Sequence, residues 1–230
     1  LRNFIRILNS DSFKRSVIAT AKYAGMVGVG TFSLGMFLSF LCVNKSRGSK
    51  IYQTMFALPI ALASAPIAAL AIYILGRNGL LNGILGTSMA WLSQRSTALT
   101  CLAFVASWAN VGSTFIFLLV GFRNVSDDLI ESATIDGAGY FRRFINIYIP
   151  IASPQIFFVI FLNIITSFKS FALIKRLVGS GPSESTNVLI YAIYSNAFYR
   201  GRFETACVYS LVLCLVIFVV TRIQLLFEKR

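Results

Sequence analysis

Side chains able to carry acid–base or metal chemistry are few in this sequence, and they are crowded. Four of its eight acids, Asp127, Asp128, Glu131 and Asp136, lie within ten residues of one another. Carboxylates could serve a membrane enzyme, but these sit in a polar stretch between apolar runs and not inside one. There is no histidine, which removes the commonest general base and the commonest transition-metal ligand. Cys42, Cys101, Cys207 and Cys214 all fall in apolar runs, without metal-ligand spacing or a disulfide framework, and read as small buried hydrophobes. No Gly-x-x-x-x-Gly-Lys-Ser/Thr phosphate loop occurs, so the chain is not expected to hydrolyse ATP itself. The expectation is no catalytic centre, no metal and no cofactor.

The elements around the acids explain their placement. The chain has 230 residues, 57% of them hydrophobic and 13% charged. Soluble domains carry about 25% charged residues, and the mean hydropathy here is +0.75. This is the composition of an all-α, polytopic membrane protein. The net charge of +13 comes from basic residues scattered between apolar runs. They form no stripe with aromatic platforms, so no nucleic acid is expected as a partner; the lipid membrane is.

The segment Asp127–Pro154 has readable local physics. Asp128 and Glu131 have capping-box spacing, and the acids sit where the positive end of a new helix would be. Asp136-Gly137-Ala138 suits a helix stop or a sharp bend. Tyr140, Phe141, Phe144, Ile145 and Tyr148 then recur at helical spacing around Arg142 and Arg143. Pro150 and Pro154 end that pattern and start the next apolar run.

This segment resembles the cytoplasmic EAA loop of the permease subunits of ATP-binding-cassette importers. Glu131-Ser132-Ala133 stands for Glu-Ala-Ala, Gly137 follows after three residues, Ile147 after nine more, then Ile149 and Pro150. Ser132 departs from the pattern but stays small. Farther on, Gly181-Pro182 with Ser185-Thr186, and Ile193-Tyr194-Ser195-Asn196-Ala197-Phe198, are similar to segments of the carbohydrate and glycerol-phosphate branch, first-permease type. The resemblance implies a coupling helix, with Glu131, Ser132, Ala133, Asp136, Gly137, Ala138, Ile147 and Pro150 as ATPase-coupling residues. It implies as partners a homodimeric ATPase subunit, a second permease subunit and an extracellular solute-binding protein. It also implies an inner (plasma) membrane location with the coupling loop and C-terminus cytoplasmic. Positive charges divide too evenly between the two sides to decide orientation.

Along the chain, residues 1–15 read as an amphipathic lead-in and 16–223 as the permease core, with a coupling loop at 122–150. Residues 224–230 read as a cytoplasmic tail. The first residue is Leu, consistent with a further N-terminal span upstream of the given sequence. Five core spans are expected, near 16–43, 51–75, 97–121, 151–173 and 203–223. The first carries Gly25, Gly28, Gly30 and Gly35 for close helix contact. The second carries a ridge of Ala57, Ala61, Ala65 and Ala69, with bends at Pro59 and Pro66. Asn44–Lys50 reads as a short basic loop, and 76–96 as a loop too polar to span.

Two sets of polar residues share helix faces and are candidates to line a pathway: Ser107, Asn110 and Thr114 in the third span, and Asn163, Ser167 and Ser170 in the fourth, with Lys169 near its far end. Interhelical hydrogen bonding is the competing role for the first set; ordinary polar packing, with Lys169 snorkelling, is the competing role for the second. Lys175 and Arg176 could favour an anionic solute, or contact lipid headgroups or a partner. The reading is a permease subunit for a sugar or glycerol-phosphate-type solute. A secondary transporter or channel is the alternative, weakened by the lack of a carboxylate deep in a span.

Overall fold

The computed structural model describes residues 2–43 and 49–228; the basic loop expected at 44–50 therefore lies largely outside the described residues. Among the described residues there is no strand. The helices are α1 (Arg2–Leu8), α2 (Asp11–Cys42), α3 (Ser49–Ala61), α4 (Ser64–Leu75), α5 (Leu80–Leu85) and α6 (Ala98–Arg123). Then come α7 (Asp127–Ile135), α8 (Tyr140–Arg143), a π turn at Phe144–Tyr148, α9 (Ile149–Ile151), α10 (Ser153–Phe168) and α11 (Phe171–Leu177). The chain closes with α12 (Leu189–Tyr194), a second π turn at Ser195–Tyr199, and α13 (Phe203–Glu228).

The centre of the bundle is the pair α2 and α6, which run parallel. Ser107 Oγ donates to the Val27 carbonyl at 3.4 Å, and Ser39 Oγ to the Phe115 carbonyl at 3.1 Å. Glycine permits this approach: a Cβ on Gly30 would sit 2.6 Å from Ser107 Oγ, and one on Gly35 would run into Thr114. Lipid tails are as apolar as the helix faces, so close van der Waals packing across small residues drives association inside a bilayer. Helix α3 lies on α6 at Gly112, α10 packs on both α2 and α6, and α13 closes the outside over α10 and α12.

Four segments are long and apolar enough to span: 11–42, 64–85, 98–123 and 203–226. Counted as one broken span, the pair 140–151 and 153–168, bent by 76° at Ala152, makes a fifth. The count agrees with the sequence reading, but the second and fourth spans differ from it. The apolar run expected as one span at 51–75 breaks at Leu62 and Ala63, where Ala63 is extended. Pro59 cannot donate within α3, and Pro66 falls in the first turn of α4, where no N–H is needed. The alanine ridge is thereby split, and Ala61 and Ala69 are exposed; α4 buries Ile67, Ala68, Ala71 and Leu75 instead. The expected loop 76–96 contains α5, and with α4 it forms the spanning segment. Span four stops at Phe168, short of the expected Leu173, because the chain breaks at Lys169–Ser170 before α11.

Candidate functional site: the polar loop and the polar face of the bundle

The loop from Asp127 to Pro150 caps one end of the bundle, here the near end. Helix α7 starts at Asp127 with Ser126 as N-cap, so Asp128 is inside the first turn and the Asp128–Glu131 capping box does not form. Asp127 and Asp128 still sit at the positive end of the helix dipole. The stop is a Schellman motif: Ala138 N donates to the Ala133 carbonyl at 2.9 Å and Gly137 N to Thr134 at 3.1 Å. Gly137 carries φ +78°, a conformation that costs a side-chain-bearing residue about 1 kcal/mol or more.

Helix α7 has no buried residue. Ile135 is 86% exposed and Leu129 is 48% exposed, next to the exposed Glu131, Ser132 and Asp136. The half-buried Ala133 and Ala138 lie on the side toward the body of the protein. The segment from Tyr140 to Pro150 is the opposite case. The Tyr140 hydroxyl donates to the Phe40 carbonyl of α2, and Arg143 Nη1 donates to Thr134 Oγ1 of α7. Phe144 packs edge-on against Phe40 at 4.6 Å and Phe122 at 5.1 Å. Ile147 joins the same cluster, while Pro150 is exposed. The π turn ends where Ile149 N bonds back to the Phe144 carbonyl, one residue before proline removes the next donor. Sequence periodicity indicates this helix but not its anchoring to α2, which depends on Tyr140 meeting Phe40 from a distant part of the chain.

The polar faces of α6 and α10 meet at one point. Thr114 Oγ1 donates to Asn163 Oδ1 at 2.9 Å, both buried. Among the described residues Asn163 Nδ2 has no hydrogen-bond partner, and Asn163 lines a cavity of about 310 Å³ with Gly25, Gly28 and Ile164. Ser107 turns to α2, Asn110 donates to its own helix at Ala106, and Ser167 does so at Asn163. Lys169 is exposed and Ser170 half-buried at the break. The seven residues therefore do not form one continuous lining: Thr114 and Asn163 are together, Ser107 is taken up by α2, Asn110 and Ser167 bond within their own helices, and Lys169 and Ser170 sit at the helix break.

The far end holds polar centres that sequence patterns miss. Buried Asn82 donates to the carbonyls of Gly76, Arg77 and Met89, and accepts from Thr87 and from Trp91 Nε1. Glu184, at φ +58°, receives Arg15 and Arg200. Lys175 Nζ donates to the Tyr194 hydroxyl at 2.7 Å and lies 4.3 Å from that ring's centroid. The hydrogen bond raises the Lys175 pKa and lowers that of Tyr194; Tyr199, bonded to Tyr194, is raised. Arg176 is exposed beside it. The signals present in sequence are a lone acid following Gly-Pro, and an Asn between two glycines. Among the described residues no group of His, Cys, Asp and Glu could hold a metal.

The chain is 31% identical over 236 residues to the sn-glycerol-3-phosphate transport system permease protein UgpA of Yersinia pseudotuberculosis, covering 100% of this chain and 80% of that one. It is 32% identical, with the same coverage, to the protein of that name from Yersinia enterocolitica. A crystal structure of a bacterial ABC transporter involved in import of the acidic polysaccharide alginate superposes with TM-score 0.90 over 100% of this chain and 83% of that one, at 21% identity, a likeness of fold. Residues 31–230 match the family described as binding-protein-dependent transport system inner membrane component, and the chain belongs to that family: it is a multi-pass permease subunit of an ATP-binding-cassette importer, not an enzyme.

Proposed function

We propose that this permease forms half of a translocation pathway for an anionic polyol phosphate or acidic sugar and is driven through α7. Its companions are a second permease subunit, a pair of ATPase subunits and a solute-binding protein. Residues 122–150 act as the coupling loop of a core spanning 16–223. The lead-in 1–15 and tail 224–230 flank that core, and the loop and tail face the cytoplasm.

The observation that carries this reading is the contrast within the loop. Helix α7 offers uncovered Leu129 and Ile135 beside four acids, the composition of a short helix that docks in a groove of another protein. Behind it, Tyr140, Arg143 and Phe144 tie α7 to α2 and α6. ATP binding favours one geometry of the ATPase pair. A helix held in that pair is displaced with it, and the displacement reaches the spans through the aromatic anchor. In this scheme Glu131, Ser132, Ala133, Asp136, Gly137 and Ala138 shape the docked helix, and Ile147 and Pro150 set the start of α10. Thr114 and Asn163 mark where the pathway narrows; Ser107, Asn110, Ser167, Lys169 and Ser170 are weaker candidates, since Asn110 and Ser167 bond to their own helices, Ser107 bonds to α2, and Lys169 and Ser170 lie at the helix break. The anionic solute is supported by the cargo named for the Yersinia relatives and by Lys175, an exposed ammonium held in place by Tyr194.

The deciding experiment places cysteine at Ile135 in the whole transporter and tests cross-linking to the ATPase subunit, alongside uptake of sn-glycerol 3-phosphate against a neutral sugar. Absence of a cross-link at Ile135, with one readily formed at the far end, would remove the coupling assignment.

A further inference from the structure

We propose that the crevice between the far-end halves of α2 and α6 binds an anionic phospholipid, its headgroup at Arg15, Lys22 and Arg95 and one acyl chain along the apolar groove below. Two cavities lie between these helices. The upper one, about 390 Å³, is lined by Arg15, Lys22 and Arg95, with Glu184 as the one acid in its wall. Glu184 is already engaged by Arg15 at 3.3 Å and Arg200 at 3.4 Å. Among the described residues, Lys22 and Arg95 have no ion-pair partner. Three cations against one neutralised acid favour a phosphate-class anion.

The lower cavity, about 520 Å³, shares Met26 and Thr100 with the upper one, so the two adjoin. Its walls include Gly25, Val29, Leu34, Ala103 and Phe104, and its surface is almost wholly apolar. Gly25 leaves open space where a Cβ would be, and Val29 and Phe104 are 69% and 66% exposed. Because α2 and α6 run parallel, the cavities stack along the bundle axis, charged end outward. From Lys22 to Leu34 the helix rises roughly 18 Å at 1.5 Å per residue, a little over half the hydrocarbon thickness of about 30 Å. That is the reach of one acyl chain in one leaflet. A free phosphate ester would engage only the upper cavity; the apolar lower half selects the lipid.

The test uses the purified whole transporter in detergent, titrated with phosphatidylglycerol, phosphatidylcholine or sn-glycerol 3-phosphate, and native mass spectrometry to count bound lipid. Phosphatidylglycerol is expected to be retained at lower concentration than phosphatidylcholine. The double variant Lys22→Gln/Arg95→Gln should weaken phosphatidylglycerol roughly tenfold or more and leave phosphatidylcholine unchanged. Gly25→Leu should weaken both lipids with every charge intact, and serves alone should the double variant fail to assemble. Unchanged phosphatidylglycerol retention in the double variant, or in Gly25→Leu, overturns the proposal. So does displacement of the lipid by sn-glycerol 3-phosphate, which makes the upper cavity a solute site. Efficient cross-linking of Val29→Cys to the companion permease overturns it too, because protein then fills the groove.

Discussion

The two ends of this bundle are built on different physics. At the near end, Phe40, Phe122, Tyr140, Phe144 and Tyr148 interlock ring against ring, and α7 rides on that cluster through Ile130 with Leu129 and Ile135 uncovered. At the far end the long connections are held by polar centres, Asn82 for 76–91 and Glu184 for the joining of α2 to the 178–202 segment. Aromatic packing has many weak contacts and resists deformation as a unit. A hydrogen-bonded hub can exchange partners with water or an incoming ligand. Under the function proposed above, the end that transmits a push is packed, and the end that meets a changing solute is bonded.

The strongest way to break this contrast is at the near end. Gly137→Asp places a side chain at φ +78° and a fifth acid on the loop. It is expected to abolish ATP-driven uptake while the chain remains inserted, as read by uptake and membrane immunoblot; intact uptake would show that α7 transmits nothing. Phe144→Ala empties the centre of the ring cluster and should cost about 3–5 kcal/mol, measured as a fall in the thermal unfolding midpoint in detergent. If the midpoint holds, the anchor is not the packed unit described.

Asn82→Ala sharpens the comparison from the other side. It strands the Trp91 and Thr87 donors and three carbonyls, and should cost about 1–3 kcal/mol. It should also open residues 76–97 to proteolysis without slowing proteolysis at 122–150. Equal cleavage at both ends would mean that the two ends are one cooperative unit. The smallest effect is expected for Glu184→Gln, since its ion pairs are part-exposed and such pairs contribute about 0–1 kcal/mol. A loss much larger than that, in the same unfolding assay, would make Glu184 a far-end anchor comparable to Phe144.

Legibility in the sequence follows the range of the interactions. The helix stop at Gly137, the acids in the first turn of α7 and the helix before Pro150 are decided by neighbours within a few residues, and the patterns show all but the true N-cap and the π turn at Phe144–Tyr148. Ser126 is masked as a cap because Asp128 has the right spacing to Glu131; two acids in one turn make cap positions hard to separate. Pro59 and Pro66 signal a bend near Leu62–Ala63 but not a full break, because proline spacing does not say whether α6 will supply Gly112 to hold the first half. In sequence Asn82 is one polar residue of a loop, and its five partners are set by how 76–91 folds back on itself.

The sequence by itself determined that this chain is apolar, helical, without histidine or a nucleotide loop, and that its acids are concentrated on one loop with a glycine stop. Those properties reside in composition and in contacts a turn apart. Only the tertiary structure decided that Ser107 and Thr114 turn toward α2 and α10, that the coupling-type loop is bolted to Phe40, and that Arg95, just before α6, faces the same crevice as Arg15 and Lys22 of α2. Each of these needs side chains from helices tens of residues apart to arrive at the same place, and local spacing holds no record of which faces will meet.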